Sequence, residues 1–252
     1  MSGPNAFDEV ALPLFGTAPA PKSQHKLPSY LSDHRKRLRA RFMDGGADAM
    51  PDYELLELIL FRAIPRQDVK PLARRLIDTF GDFNRVVSAP AARLMAIDGA
   101  GAAVVQELKI VEAAAHRLAR ARVLGRSVLS GWTELLDYCH TTMAHRETEQ
   151  FRILFLDAQN AVIADEEQAR GTVDHVPVYP REVVKRALEV NASALILVHN
   201  HPSGDPTPSQ ADIDMTGRIA EAARALSITL HDHIIIGKSA EISFRAAGYL
   251  DV

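Results

Sequence analysis

Ala192-Ser193-Ala194-Leu195-Ile196-Leu197-Val198-His199-Asn200-His201-Pro202-Ser203-Gly204-Asp205-Pro206-Thr207-Pro208-Ser209-Gln210-Ala211-Asp212 is the stretch on which the reading of this chain turns. The apolar, branched run up to Val198 reads as a buried strand ending at His199. Side chains two apart on an extended chain share a face, so His199 and His201 can point at one ion. Pro202, Pro206 and Pro208 lack an amide donor and Gly204 admits unusual backbone angles, so the segment between them is a loop. Ser209 then reads as the N-cap of a helix running to about Leu226, with Asp212 in its first turn. If the loop folds back, the carboxylate meets the two imidazoles. Such a set leaves a fourth tetrahedral position open, as catalytic rather than structural zinc sites do. The same residues have a plainer reading, because Ser209-x-x-Asp212 is also a capping-box pattern and a histidine pair can be a hydrogen-bonded strand edge.

The spacing H-x-H-x(7)-S-x(2)-D resembles the metal-binding signature of the JAMM or MPN-plus metalloproteases. The wording His199 to Ser209 resembles the bacterial RadC family in particular. Further blocks similar to that family are Gly171-Thr172-Val173-Asp174, Val178-Tyr179-Pro180-Arg181-Glu182-Val183-Val184-Lys185-Arg186-Ala187-Leu188, Asp232-His233-Ile234-Ile235-Ile236-Gly237 and Ser243-Phe244, so the likeness covers roughly residues 30 to 252. The resemblance implies an α+β protein, in which an all-helical, helix-hairpin-helix-like N-terminal domain precedes an MPN/JAB-type domain similar in fold to the cytidine deaminases. It also implies that His199, His201 and Asp212 hold Zn2+ and that Ser209 helps stabilise a tetrahedral intermediate. An upstream glutamate would accept a proton from the attacking water. Glu166 is the residue assigned by alignment to the family pattern. Its neighbour Glu167 faces the other way on a strand, so only one of the two can reach the metal.

The 252 residues, 47% of them apolar, suffice for two modest domains. The expected organisation is a disordered tail over 1–29, a helical domain over 30–126 and a zinc domain over 127–252. The net charge of -3 hides an asymmetry: residues 26–126 hold 18 Lys and Arg against 12 Asp and Glu, whereas residues 127–252 hold 10 against 18. That balance suits an anion-facing first half, with DNA as the candidate partner. Cys139 is the only cysteine, so neither an internal disulfide nor a thiolate zinc cluster is available, and a reducing cytoplasmic setting is the simplest expectation. The first residues lack the continuous apolar core of a signal peptide, and no run approaches the roughly 18 apolar residues of a membrane span. Within the tail, Val10-Ala11-Leu12-Pro13-Leu14-Phe15 is an apolar patch that could dock on a partner.

Between Ser32 and Arg122 the apolar spacing is helical. Helices are expected from Asp52 to the stop at Ile64-Pro65, from Val69 to Phe80 with Gly81 closing it, briefly after Ala89-Pro90, and from about Ala103 to Val123. Leu94 to Leu108 resembles the second half of a helix-hairpin-helix, with Gly99-Ala100-Gly101 as the turn that exposes amides to a DNA phosphate. Ala100 stands where a larger apolar residue is usual, and a G-x-G is also simply a tight connection. Arg35-Lys36-Arg37-Leu38-Arg39-Ala40-Arg41 with Arg117, Arg120 and Arg122 are the candidate phosphate contacts, expected to be sequence-independent and salt-sensitive.

The second half reads as strands mixed with helices: a hairpin of Phe151–Asp157 and Asn160–Ala164, a helix from Pro180 to about Asn191, the ligand strand, the Ser209 helix and a strand over Ile228–Ile236. Trp132, Tyr138 and Phe155 are expected in the core. His231 and His233 repeat the H-x-H spacing without a companion carboxylate loop, so His233 is expected to support the sheet or the ligands by hydrogen bonding. The leading function is a zinc-dependent peptidase or isopeptidase-like hydrolase acting on a protein or peptide substrate. The alternative is a DNA-associated binding protein with a structural or vestigial zinc site. Base deamination is disfavoured, because the chain lacks the H-x-E and P-C-x-x-C pair.

Overall fold

The computed structural model describes residues 29–170 and 178–250, so the expected tail and the Gly171–Asp174 block lie outside the described residues. The first half is helical throughout: α1 (Ser29–Gly45), α2 (Asp52–Ala63), α3 (Lys70–Phe80), α4 (Phe83–Ser88), α5 (Ala91–Met95) and α6 (Ala102–Ala121). Leu56, Leu60, Leu72, Leu76, Leu94 and Leu108 come together in one core, each contributing about 1.5–3 kcal/mol by burial. α3 ends at Gly81, whose φ of 102° is open to glycine but strained for other residues. The sequence reading passed over α4, which is short but capped by the Asp82 carboxylate accepting from the Arg85 amide at 2.8 Å. In the turn before α6, Gly99 takes a φ of 86° and Ala100 is buried in the helical core, so a methyl group suffices to seat it.

The basic stretch on α1 is not the uniform cationic face expected. Arg35 is buried, and its guanidinium donates to the carbonyls of Ile64 and Gln67, both at 2.7 Å, closing the end of α2. Arg41 pairs with Glu54, and Arg39 lies over the Phe61 ring. Local sequence marks arginines as cationic; the packing of α1 on α2 spends some of them internally.

The second half holds α7 (Trp132–Met143), β1 (Gln150–Leu156), β2 (Val162–Arg170), α8 (Pro180–Glu189), β3 (Ala194–Asn200), α9 (Gln210–Arg224), β4 (Thr229–Ile236) and β5 (Glu241–Ser243). The sheet order is β2-β1-β3-β4-β5, with β3 antiparallel to β1 and parallel to β4. All seven residues of β3 are buried, which explains its unbroken apolar run: both faces are covered, so no alternation is needed. Leu154, Leu156, Ile196, Val198, Ile234 and Ile236 pack with α7 on one face. Phe151, Ile153, Phe155, Leu195 and Leu197 pack with α8 and α9 on the other. Tyr138 and Phe155 are core residues as expected, whereas Trp132 is only partly buried. On the α7 face Asp165 accepts two hydrogen bonds from the Arg152 guanidinium, at 3.0 and 2.7 Å, and one from Tyr138. α6 joins the halves: Ala119 and Leu124 just beyond it pack on the sheet core, and the Gly125 amide donates to the Val162 carbonyl at 2.9 Å.

Candidate metal centre

β3 delivers His199, and the backbone continues its pairing one step further, with the His201 amide donating to the Ile236 carbonyl at 3.0 Å. Both imidazoles therefore lie on the α8/α9 side of the sheet, where the period of two puts them. The proline loop then folds back over Gly237, and the approach is so close that a Cβ there would stand 2.5 Å from the Gly204 carbonyl oxygen. α9 starts at Ser209 and brings Asp212 in. Ligand atoms of His199, His201 and Asp212 all fall within 4.8 Å of one another.

The plainer reading of Ser209 and Asp212 holds at the same time. Ser209 and Asp212 form a full capping box: the Ser209 amide and hydroxyl both donate to Asp212 Oδ2, at 2.8 and 2.6 Å, and the Asp212 amide donates back to the serine oxygen at 3.2 Å. Asp212 Oδ1 is left facing His199 Nε2 at 3.4 Å, while Oδ2 lies 3.6 Å from His201 Nε2. Capping thus orients the carboxylate without consuming it. It does occupy the one hydroxyl proton of Ser209.

The hydrogen-bond network dictates the tautomers. Thr216 Oγ1 donates to the Asp212 carbonyl at 2.6 Å, so it can only accept from His233 Nδ1, also at 2.6 Å. Neutral His233 then presents an Nε2 lone pair to His199 Nδ1–H at 2.7 Å. His199 Nε2 is thereby a lone pair aimed at the centre. His201 Nδ1 donates to the Asp205 carbonyl at 2.8 Å, which turns its own Nε2 lone pair to the same place. With both rings neutral, two lone pairs face one another across 3.0 Å, a contact resolved either by a second proton on His201 Nε2 beside Asp212 or by a metal cation. The donor set of two neutral imidazoles and a carboxylate fits a divalent metal of the zinc type.

Electrostatics agree with that geometry. Burial pushes His199 down to about 4, and it pushes fully buried His233 well below the usual imidazole range, so both stay neutral. The hydrogen bond to Asp212 raises His201. Burial opposes the Asp212 charge, yet His201, His199 and Ser209 together hold its carboxyl well below the ordinary range. Phe151 stacks beside His199 with ring centroids 6.2 Å apart, and Phe244 lies 4.5 Å from His233, so the relay is dry. His233 therefore plays the hydrogen-bonding part expected of it. His231 instead bonds Asn160, and Asp232 turns away to Ser243.

Glu166 is not brought to this cluster. It pairs in register with Ile153 on β2, with all of β1 between it and β3, and Arg186 of α8 clamps it with two bonds at 2.8 and 2.6 Å. That contact lowers its pKa and so makes it a poorer base. Glu167 pairs with Arg152, on the α7 face. The carboxylate that the sequence reading missed is Glu149. Phe151 pairs with His199 at the end of the β1–β3 ladder, and Glu149 stands two residues before Phe151, just outside β1. Glu149 is buried, and its charge adds to the larger influence of Asp212 in raising His201.

Residues 129–249 match the family model described as RadC-like JAB domain, and residues 32–105 match the one described as UPF0758 N-terminal. A UPF0758 protein of Ruegeria pomeroyi is 75% identical over 224 residues, covering 89% of this chain and 100% of its own length. Another, from Rhodobacter capsulatus, is 76% identical over 213 residues, covering 84% of this chain and all of its own.

Proposed function

The chain belongs to the RadC family of UPF0758-type proteins, and from that premise we propose that it is a zinc-dependent metallohydrolase acting on peptide or isopeptide bonds. The observation that carries the reading is the pair of converging Nε2 lone pairs on His199 and His201, with Asp212 beside them. When bound there, zinc supplies a Lewis acid that polarises a carbonyl and acidifies water. The protein's own residues do the rest. The relay Thr216–His233–His199 keeps His199 in the tautomer that binds a metal. Ser209 orients Asp212 through the capping box; acting on a tetrahedral intermediate as well would require its hydroxyl to leave that bond. Glu149 takes the role first assigned to Glu166: it accepts the proton of the attacking water and passes it to the leaving amine. Both roles for a carboxylate require reach of the centre, and what supports Glu149 is its burial two residues before the Phe151–His199 pair and the influence of its charge on His201.

Two features support a nucleic-acid partner for the helical half: its excess of cations and the tight turn before the 20-residue helix α6. No helix among the described residues is long and apolar enough to cross a membrane. Elemental analysis of purified protein tests the central claim. About one zinc per chain, lost in His201→Ala, is the expected result, and a wild type that cannot be loaded with zinc overturns it.

A further inference from the structure

Where the helical half meets the sheet half, next to the metal centre, lies a cavity of about 440 Å³. Arg85 and Arg93 line it from α4 and α5, and Arg146 and Lys238 line it from the sheet half, with Glu147 as the one carboxylate among its lining residues. Pro202, which follows the candidate ligand His201, forms part of the same wall. A second cavity of about 300 Å³ continues from it, sharing Ala144, His145 and Lys238. His145 Nδ1, between the two, is buried without a hydrogen-bond partner among the described residues. Guanidinium groups from two separate parts of the chain, with an ammonium group beside them, make a fork suited to the planar faces of a phosphate.

We propose that this cleft binds the phosphate backbone of a single nucleic-acid strand and delivers it to the edge of the metal centre. The proposal deepens the nucleic-acid reading of the helical half and does not depend on the zinc. It also relocates the contact: among the arginines first suspected, Arg35 is buried and spent on backbone carbonyls, whereas the cleft cations line a cavity. Arg146 is held by the buried Glu112 carboxylate at 3.1 Å, but the partners of the other two arginines are cheap to exchange. Arg93 pairs with Glu147 and Arg85 with Asp82, with side chains 54% and 43% exposed, and such surface pairs hold weakly. Lys238 donates to the Ser203 carbonyl at 3.1 Å, so a phosphate on its ammonium group would touch the loop that carries His201. The cavity's size suits one nucleotide at a time, and its continuation past His145 gives the strand a direction.

The test is fluorescence anisotropy of a labelled 12-nucleotide single-stranded DNA on the full chain at several salt concentrations. The double variant Arg93→Ala/Lys238→Ala is expected to weaken binding at least tenfold at low salt and to flatten the log–log salt slope by about 1.4, from two lost contacts of about 0.7 each. Arg85→Ala is expected to flatten it by about 0.7. Arg37→Ala, on the exposed face of α1, and metal-free His201→Ala are expected to bind like wild type. Loss of binding in Arg37→Ala with the cleft variants unaffected would overturn the proposal, as would no binding at low salt or equal competition by an acidic peptide. Competition by pyrophosphate as tight as by the oligonucleotide would overturn the strand as occupant and leave a small-phosphate site in its place.

Discussion

His233→Leu removes both ring nitrogens from the relay while nearly preserving the volume buried among Phe151 and Phe244. In the wild type, His233 Nε2 accepts from His199 Nδ1–H at 2.7 Å, which is why the His199 lone pair sits at Nε2. Without that acceptor a buried N–H is left unsatisfied, at a cost of about 1–3 kcal/mol. The ring can escape the cost by moving its proton to Nε2, where it donates to the His201 lone pair 3.0 Å away. The metal-free state then gains a hydrogen bond, and zinc binding must return the proton to Nδ1, where it has no acceptor. The expected loss is about 10–100-fold in zinc affinity, or about 1.4–2.7 kcal/mol. The assay is zinc competition against a chromophoric chelator at neutral pH, with nitrogen-detected NMR of the imidazoles reporting the tautomer directly. Thr216→Val, one bond further out, should cost less. A folded His233→Leu protein that binds zinc within twofold of wild type would refute the relay argument, as would a His199 ring already protonated at Nε2 in metal-free wild type.

Glu149→Gln should keep its zinc and lose about 10²–10⁴-fold in turnover on a peptide or isopeptide substrate, while Glu166→Gln keeps both within about threefold; equal losses in the two would sink the assignment. Metal-free protein should lose stability on acidification. His199 titrates near 6.5 unfolded and about 4 folded, so its contribution is whole above 6.5 and is lost as the pH falls through 4, by about 3 kcal/mol. Urea unfolding between pH 7.5 and 4 with a chelator, compared with His199→Gln, would read this as a steeper decline in the wild type. Asp165→Ala should destabilise by about 3–5 kcal/mol in thermal or urea unfolding, because it strands the Arg152 guanidinium and the Tyr138 hydroxyl beneath α7. A loss below 1 kcal/mol would show that the pair is dispensable.

Much of the site was legible before any coordinates, because its elements are local. His199 and His201 share a face by the period of a strand, the prolines between Pro202 and Pro208 forbid its continuation, and Ser209 with Asp212 signals a helix start. His233 could be placed beside them because its strand also ends near the loop. Where reading failed, the causes were short elements and long-range pairing. α4 and β5 are too short for periodicity to register, at six and three residues. Arg35 looked like every other cation of its helix until α1 docked on the end of α2.

The sequence by itself brought out the candidate triad His199, His201 and Asp212, the helical-then-sheet order and the apolar run that had to become a doubly covered strand, since each is carried by a few neighbouring residues. Tertiary structure alone decided that Glu166 lies away from the centre and made Glu149 the candidate in its place. The sequence reading weighed Glu166 and Glu167 and not Glu149; the antiparallel register of Phe151 with His199 runs toward Glu149 and leaves Glu166 two strands from β3, in the grip of Arg186. A register shifted by one residue would reverse every face, and nothing local to either glutamate encodes it.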